Sequence, residues 1–280
     1  MCASSRRSGI LLPPDVTDAR DDMTDAAQTD LVKINVADGV MEIVWNRPDK
    51  KNALSNVMYR AATAALARAM EDKSIRVVLL TSEGDSFTSG NDLADFAAAS
   101  AGGETPAAGG FIEAIAQFPK PLVAAVTGLA VGVGTTMLFH CDLVFVANEA
   151  KLTTPFVNLG LVPEAASSML IPARIGYTRA FAMFALGDGM TGAQAAQLGV
   201  ANIALPAGEV IDAAREAARK LAQRPPGAVM ATKKLMRDSE TILAQLRTEG
   251  KVFGERLNTA EAMEAFMAFQ QKRTPDFSKF

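Results

Sequence analysis

The middle of the chain contains an uncharged run of 21 residues, 121–141, and this run constrains the fold more than any other feature. Such a run is long enough for a membrane-spanning helix, and Gly128 and Gly132 have the spacing of a helix-packing motif. The run nevertheless begins with proline and contains three glycines and three threonines. We interpret it as a strand at 122–127, a glycine-rich turn and a helix beginning near Val133, because a strand buried on both faces is also continuously apolar. No membrane association is therefore expected.

Strands and helices are predicted to alternate as far as residue 205. Residues 31–36 and 40–45 alternate in polarity around Ala37-Asp38-Gly39, which is typical of a hairpin. Ser55 is a candidate N-cap for a helix that continues to Asp72. Further buried strands are predicted at 77–81, 122–127, 143–147 and 200–205. This alternation favours an α/β fold with crossover connections.

After residue 205 the pattern changes from alternating elements to helices alone. Helices are predicted at 207–223, 227–238, 240–256 and 259–272. We therefore expect three regions, which are a leader at 1–30, a core at 31–205 and a helical region at 206–280. A helical region that follows a finished sheet packs either on its own domain or on another subunit.

The leader is expected to be disordered because it has no aromatic residue and no periodicity. Its apolar stretch at 10–12 is too short for a signal peptide, and translation starts at either Met1 or Met23. A second segment, 97–110, is rich in alanine and glycine and is expected to be a flexible loop.

Charge and the supply of reactive side chains exclude several classes of protein. The 28 basic and 31 acidic residues include no basic cluster, which argues against nucleic-acid binding. Cys2 and Cys141 lie far apart in unlike surroundings, so no disulfide is expected and the reducing cytoplasm is the expected location. His140 is the single histidine of the sequence, so a Cys/His zinc site of the usual spacing is excluded and no metal is expected.

Two glycine-containing loops are the best candidates for chemistry. The first is Ser89-Gly90-Asn91-Asp92-Leu93 and the second is 128–134. Glycine lets the main chain approach a ligand closely, and amides at a helix N-terminus favour negative charge. Two such amides directed at one oxygen would form an oxyanion hole, whereas either loop alone is more often a tight turn.

Three other site motifs do not fit the sequence. The second loop lacks the third glycine and the acidic residue of a dinucleotide-binding site. The glycine-lysine-serine/threonine triplet of a P-loop does not occur. In 84–88, threonine stands where a nucleophile elbow needs its second glycine.

Five motifs in order along the chain carry a resemblance to a known family. They are Trp45-Asn46-Arg47-Pro48 with Lys51-Asn52-Ala53-Leu54, the 89–93 loop, 126–134 with Cys141-Asp142, Thr154-Pro155-Phe156 through Pro163-Glu164, and 272–277. On these motifs, residues 31–280 resemble the crotonase superfamily, the enoyl-CoA hydratase/isomerase family. The resemblance implies an α/β fold, namely a crotonase (ClpP-like) spiral of ββα units with a C-terminal helical trimerisation region. It also implies an acyl-CoA or enoyl-CoA substrate, no cofactor apart from the CoA within that substrate, and a homotrimer or a hexamer made of two trimers.

By the same resemblance, the main-chain amides of Asn91 and Val133 stabilise a thioester enolate, and their side chains are nearly irrelevant to the donor because the N–H provides it. Hydratases of the family have two glutamates, at the positions of Thr136 and Phe156 here, and neither of these residues is a base. Glu164 instead resembles the single catalytic glutamate of delta-3, delta-2 enoyl-CoA isomerases. A carboxylate in an apolar pocket has a raised pKa, which suits it to take a proton and return it.

We therefore expect an enzyme, an enoyl-CoA isomerase that shifts the double bond of a 3-enoyl-CoA to the 2-position with Glu164 as proton shuttle. The alternatives are an enoyl-CoA hydratase and a non-catalytic acyl-CoA-binding subunit. A purely structural alternative for Glu164 is an acid in the first turn of a helix, where it favours the helix dipole.

The resemblance also assigns candidate substrate- and CoA-binding residues. They are Lys51, Ala53, Ser89, Gly90, Asn91, Asp92, Leu93, Gly132, Lys272 and Phe277. A loop or helix cap is the simpler explanation of Asp92. Arg47 borders the CoA site in the family, although a solvated turn would also explain it. His140 is expected to be a packed, hydrogen-bonded histidine rather than a catalyst.

Overall fold

The structure, a computed structural model, describes residues 29–92, Asp95 and 106–280. The predicted leader up to residue 28, Leu93 and the first part of the predicted 97–110 loop lie outside the described residues. The strands are β1 (Val32–Ala37), β2 (Val40–Trp45), β3 (Val77–Ser82), β4 (Leu122–Val126), β5 (Leu129–Val131), β6 (Leu143–Ala147), β7 (Lys151–Thr153), β8 (Met190–Thr191) and β9 (Ile203–Leu205). The helices are α1 (Asn56–Glu71), α2 (Ala108–Gln117), α3 (Val133–Thr136), α4 (Ser167–Ile175), α5 (Tyr177–Phe181), α6 (Gly192–Gln197), α7 (Val210–Ala222), α8 (Pro226–Met236), α9 (Ser239–Leu257) and α10 (Ala260–Gln270).

In the described part of the chain, six strands form one sheet in the order β1-β2-β3-β4-β6-β9. β1 and β2 form the predicted hairpin, and both turn residues, Asp38 and Gly39, have the positive φ angles that a type I′ turn needs. The other neighbouring strands are parallel, so the chain must cross over between them. The predicted hairpin and α/β fold are confirmed.

A second sheet, β5-β7-β8, is a feature that the sequence does not predict. β5 lies within the stretch predicted to be a turn, and strands of two or three residues are too short to show a period of two. The predicted strand at 200–205 begins too early. The Val200 amide donates to the Ala195 carbonyl at 2.8 Å, which extends the end of α6, and strand pairing starts only at Ile203.

The uncharged run at 121–141 forms β4, β5, α3 and a 3-10 turn at Met137–His140. Every residue of β4 is buried, as is every residue of its neighbour β3, which explains the absence of charge without a lipid environment. None of the helices within the described ranges combines the length and the apolar composition that crossing a membrane requires.

The first helix of the predicted C-terminal region packs on its own core. Val210, Ala214 and Ala218 of α7 are fully buried at a spacing of four residues, and α7 lies against β3, β4 and β6. Two later helices reach a different face, where α9 contacts α2 and α10 contacts the 3-10 turn at Val157–Leu159. These two helices border the cavities described next.

Candidate active site

The two candidate loops are hydrogen-bonded to each other. The Thr88 amide donates to the Leu129 carbonyl at 2.9 Å, and the Val131 amide donates to the Thr88 carbonyl at 3.1 Å. Gly90 has a φ of 93°, and a Cβ at this position would lie 2.9 Å from the Val131 carbonyl oxygen. Glycine is therefore required at residue 90, where the two loops approach most closely.

A third segment, at 51–54, fixes the first loop from the other side. The Ser89 amide donates to the Lys51 carbonyl at 2.9 Å, and the Leu54 amide donates to the Gly90 carbonyl at 2.8 Å. These bonds bring Lys51 and Ala53, two predicted binding residues, beside the loop.

Arg47 ties the end of the first loop to the same segment. Its guanidinium contacts the Asp92 carboxylate at 2.6 Å and donates to the Ala53 carbonyl at 3.1 Å. Both charged side chains are largely buried, at 21% and 19% exposure. The expectation of a solvated turn for Arg47 is therefore wrong, because most of its side chain is engaged within the protein.

A cavity of about 380 Å³ lies against both loops. Its walls include the predicted residues Ser89, Gly90, Asn91, Gly132 and Val133. Within the described ranges, the main-chain amides of Asn91 and Val133 have no hydrogen-bond acceptor. Val133 is the first residue of α3, a position where helix geometry leaves the amide free. Two unengaged amides thus lie at the wall of one cavity.

The side chain of Asn91 has a role that the sequence does not predict. Its Oδ1 accepts a hydrogen bond from the Tyr59 hydroxyl of α1. Burial raises the pKa of Tyr59 well above 10, so the phenol is a neutral donor at ordinary pH. The bond anchors the loop that carries the Asn91 amide, while the expectation that the side chain is nearly irrelevant to the donor itself stays a prediction.

Glu164 lies immediately before α4, which begins at Ser167, and is not in the first turn of a helix. Its Oε1 accepts a hydrogen bond from the Thr136 hydroxyl at 2.7 Å. The next two residues, Ala165 and Ala166, have left-handed φ angles of 62° and 54°. Residues other than glycine are strained in this conformation, so the surrounding contacts must hold the loop that presents Glu164.

Glu164 lines a second cavity of about 390 Å³, between α2 and α9. Asn91 and Phe253 line both this cavity and the first, so the two spaces adjoin. Glu113, an exposed residue of α2, also lines the second cavity. The predicted base and one of the predicted amide-bearing residues therefore border the same space.

Burial raises the pKa of Glu164 to about 7. The hydrogen bond from Thr136 opposes this rise, and the negative charge of Glu249, on α9, adds to it. Near neutral pH the carboxyl is therefore present in both its protonated and its ionised form, as a group that takes and returns a proton requires.

His140 is a packed residue, as predicted, and it supports the loop that presents Glu164. Burial and the nearby Arg237 lower its pKa to about 3, so the imidazole is neutral. Arg237 can only donate, and its guanidinium lies 2.6 Å from Nδ1. The ring proton is therefore on Nε2, which donates to the Ala165 carbonyl at 2.8 Å.

The C-terminal candidates are less closely connected to these cavities. Lys272 and Phe277 are exposed and line neither cavity, whereas their neighbours Phe269, Arg273 and Pro275 line the first. A binding role for Lys272 and Phe277 stays a prediction. No group of three or more His, Cys, Asp or Glu side chains in the described ranges is arranged to hold a metal ion.

A family model described as enoyl-CoA hydratase/isomerase matches residues 35–279. The chain belongs to this family. Enoyl-CoA delta isomerase 2 of Rattus norvegicus is 33% identical over 243 residues, which are 84% of this chain and 62% of that protein. The chain therefore spans less than two thirds of the rat protein's length. A probable enoyl-CoA hydratase of Rhodobacter capsulatus is 32% identical, over 88% of this chain and 97% of its own length.

Solved structures confirm the predicted fold. The crystal structure of an enoyl-CoA hydratase/isomerase from Pseudoalteromonas atlantica superposes with a TM-score of 0.84 and 37% sequence identity. The match covers 89% of this chain and all of that one. The chain thus has the crotonase fold, while its relatives include proteins named isomerase and proteins named hydratase.

The two positions assigned to hydratase glutamates lie at this site. Thr136 is fully buried and donates to Glu164, and Phe156 lines the first cavity and packs on Phe184 at 6.3 Å between ring centroids. A hydroxyl and a benzene ring therefore occupy the two positions that the resemblance assigns to hydratase carboxylates. Neither group can act as a base near neutral pH.

Several residues at the site could not be found from the sequence. Tyr59, Glu113, Phe253 and Glu249 belong to ordinary amphipathic helices, and nothing in their local pattern distinguishes them from packing residues. The hydrogen bonds of Tyr59 and Glu249 join residues 32 and 81 positions apart, and periodicity carries no information about such pairs.

The raised pKa of Glu164 predicts a pH-dependent change in stability. The carboxyl binds its proton more tightly in the folded chain (pKa about 7) than in the unfolded chain (ordinary value 4.5), so stability is lost as pH rises between these values. Glu164→Gln removes this titration. Relative to the native chain, we expect the variant to gain about 2 kcal/mol in free energy of unfolding between pH 4 and pH 8, allowing for partial exposure.

Urea denaturation at several pH values measures this difference. Glu255→Gln is the matched control, because it makes the same charge change at an exposed position. A Glu164→Gln curve that stays parallel to the native curve would show that Glu164 has an ordinary pKa.

Proposed function

We propose that this protein is an enoyl-CoA isomerase that converts a 3-enoyl-CoA into the 2-enoyl-CoA. Ionised Glu164 removes a proton from C2 of the substrate, and the electrons move into the thioester carbonyl to give a dienolate. The same carboxyl then returns the proton to C4. The overall reaction moves one proton and one double bond, so it needs no water and no second base.

The main-chain amides of Asn91 and Val133 are proposed to bind the thioester oxygen during this reaction. Negative charge develops on that oxygen as C2 loses its proton, and amides already in place stabilise it without reorganising. The proposal is supported by their lack of an internal acceptor and by the cavity between their loops.

The observation that carries the choice of isomerase is that Glu164, a half-buried carboxylate lining the second cavity, accepts from Thr136, while neither Thr136 nor Phe156 supplies a second carboxylate. Hydration requires a water to be activated and C2 to be protonated, a task usually shared by two carboxylates. Glu113 is the specific feature that favours the alternative, since it lines the same cavity and would have to serve as the second carboxylate of a hydratase.

The remaining candidate residues are proposed to bind the CoA moiety. Ser89 and Gly90 line the cavity, and Lys51 and Ala53 lie in the segment bonded to them. Arg273, which is paired with Glu264, also lies at the cavity wall. Cations are suited to CoA phosphates. Roles in CoA binding are also proposed for Asp92, Leu93, Gly132, Lys272 and Phe277.

Activity on paired substrates tests the proposal. We expect the protein to convert a 3-enoyl-CoA into the conjugated 2-enoyl-CoA, measured by absorbance, and to hydrate a 2-enoyl-CoA only weakly. The rate should rise with pH through about 7 as Glu164 ionises. Glu164→Gln should lower the isomerisation rate at least about 10²-fold with nearly unchanged CoA affinity, because the amide cannot accept the proton.

Glu113→Gln separates the two enzyme activities. It should leave isomerisation unchanged, whereas loss of hydration in this variant would favour a hydratase that uses both carboxylates. If neither substrate is converted while acyl-CoA binding is retained, the non-catalytic acyl-CoA-binding subunit is favoured. Full isomerisation by Glu164→Gln would remove Glu164 from the mechanism.

Val133→Pro tests the amide donor directly. Val133 is the first residue of α3, a position where proline fits a helix, so the substitution removes the N–H with little disturbance. We expect kcat to fall by about 10² to 10³-fold. Val133→Ala is the control, because it shortens the side chain and keeps the N–H; equal rates for the two variants would contradict the role of this amide.

We also propose that the protein forms a homotrimer or a hexamer of two trimers. Helix α8 has no buried residue, and its Leu235 and Met236 are 90% and 82% exposed. Light scattering of the purified protein should give the mass of three or six chains, and Leu235→Asp should reduce it. Val36→Asp, at an exposed apolar site on β1, should not. A monomeric native chain would contradict this proposal.

A further inference from the structure

Glu249 is a second buried carboxylate close to the catalytic region. It lies on α9 with 5% of its surface exposed, although acidic side chains rarely occur fully buried without a partner. It does not line either cavity of the site. The proposed reaction gives it no task, so its burial needs a separate explanation.

The contacts of Glu249 are with the start of α4. Its Oε1 accepts hydrogen bonds from the Ser168 amide, at 2.9 Å, and from the Ser168 hydroxyl. Gln245 of the same helix donates to that hydroxyl at 2.9 Å. The N-cap residue of α4 is Ala166, which has no side chain to bind the free amides of the first turn. Glu249 therefore caps α4 from another helix.

This cap holds one end of the strained loop that presents Glu164. Thr136 binds Glu164 itself, His140 binds the Ala165 carbonyl, and Glu249 binds Ser168 directly after the loop. Hydrogen bonds from three separate elements thus hold residues 164–168. Loss of the bond between Glu249 and Ser168 would let the left-handed residues Ala165 and Ala166 relax.

Glu249 also places a negative charge near Glu164. Within the described ranges, the other ionisable groups that line the Glu164 cavity or interact with its charge are Tyr59 on α1, Glu113 on α2 and Arg247 on α9. Tyr59 and the adjacent His140 are neutral, and Glu113 and Arg247 are exposed, so water and salt screen their charges. Burial raises the pKa of Glu249 as well, and repulsion between the two carboxylates favours the protonated form of one of them.

We propose that Glu249 is a positioning residue for Glu164, because it caps α4 from another helix and so holds the loop that presents the catalytic carboxyl. When it is ionised, its charge also favours the protonated form of Glu164. This inference rests on the proposed function only where isomerisation is used as the measurement. The charge and the cap can be separated, because glutamine keeps an oxygen that accepts from Ser168 while it removes the charge.

The pH dependence of isomerisation by Glu249→Gln tests the effect of charge. At pH 6 the native enzyme should run at about a tenth of its plateau kcat/KM, since Glu164 is then mostly protonated. We expect the fraction retained at pH 6 to rise about twofold or more in Glu249→Gln. Glu255→Gln, the same change on an exposed part of α9, should leave this fraction unchanged.

Glu249→Ala tests the cap. It should lower the plateau kcat well below that of Glu249→Gln, because the alanine variant loses the bond to Ser168. A purely structural role would lower the plateau in both variants without moving the midpoint of the pH profile, and that result would overturn the proposal. Equal plateaus for the two variants would overturn the capping part.

Direct titration of the Glu164 carboxyl in the native protein tests the inference without an activity assay, and the measurement does not depend on the folding of a Glu249 variant. In the native protein labelled with ¹³C-glutamate, the Glu164 carboxyl signal is identified by its loss in Glu164→Gln. We expect this signal to titrate in two steps, because ionisation of Glu249 shifts it. A single step would overturn the proposal, whereas absence of isomerisation alone would overturn only the proposed function.

Discussion

The main-chain contact between the loop around Thr88 and the strand β5 is the interaction on which the rest of the site depends. The contact consists of two main-chain hydrogen bonds, and Gly90 allows the two loops to approach each other closely. Because this contact belongs to the backbone, the sheets and α3 fix the two amides before any ligand binds. The side chains at 136, 156 and 164 can therefore change without altering the contact that positions the two amides.

The loop that presents Glu164 works against the stability of the fold. Burial of its carboxyl and two left-handed alanines each disfavour the folded state, by about 1 kcal/mol or more per feature. The hydrogen bonds from Thr136 and from His140 each stabilise the folded state by a similar free energy. The balance is close, so the loop keeps its shape only while its separate partners are all present, which is typical of functional sites.

The sequence predicts those parts of the structure that local patterns determine. The hairpin at 37–40, the fully buried strands and the C-terminal helices follow from periodicity and turn chemistry, and the amide loops follow from their glycines. The β5-β7-β8 sheet does not, because its strands are too short to carry a period. The Tyr59–Asn91 and Ser168–Glu249 contacts join residues 32 and 81 positions apart, and no local pattern encodes such pairs.

The sequence left open whether the helical C-terminal region packs on its own core or on another subunit, and three of its four helices contact other elements of their own chain. α7 covers the sheet, and α9 and α10 bring Phe253 and Phe269 to the first cavity of their own chain. Glu249 of α9 binds the start of α4. α8 buries none of its residues. The contacts of Glu164 and of its loop described above are therefore made within one chain. Assembly through α8 would leave these contacts, and with them the protonation of Glu164, unchanged.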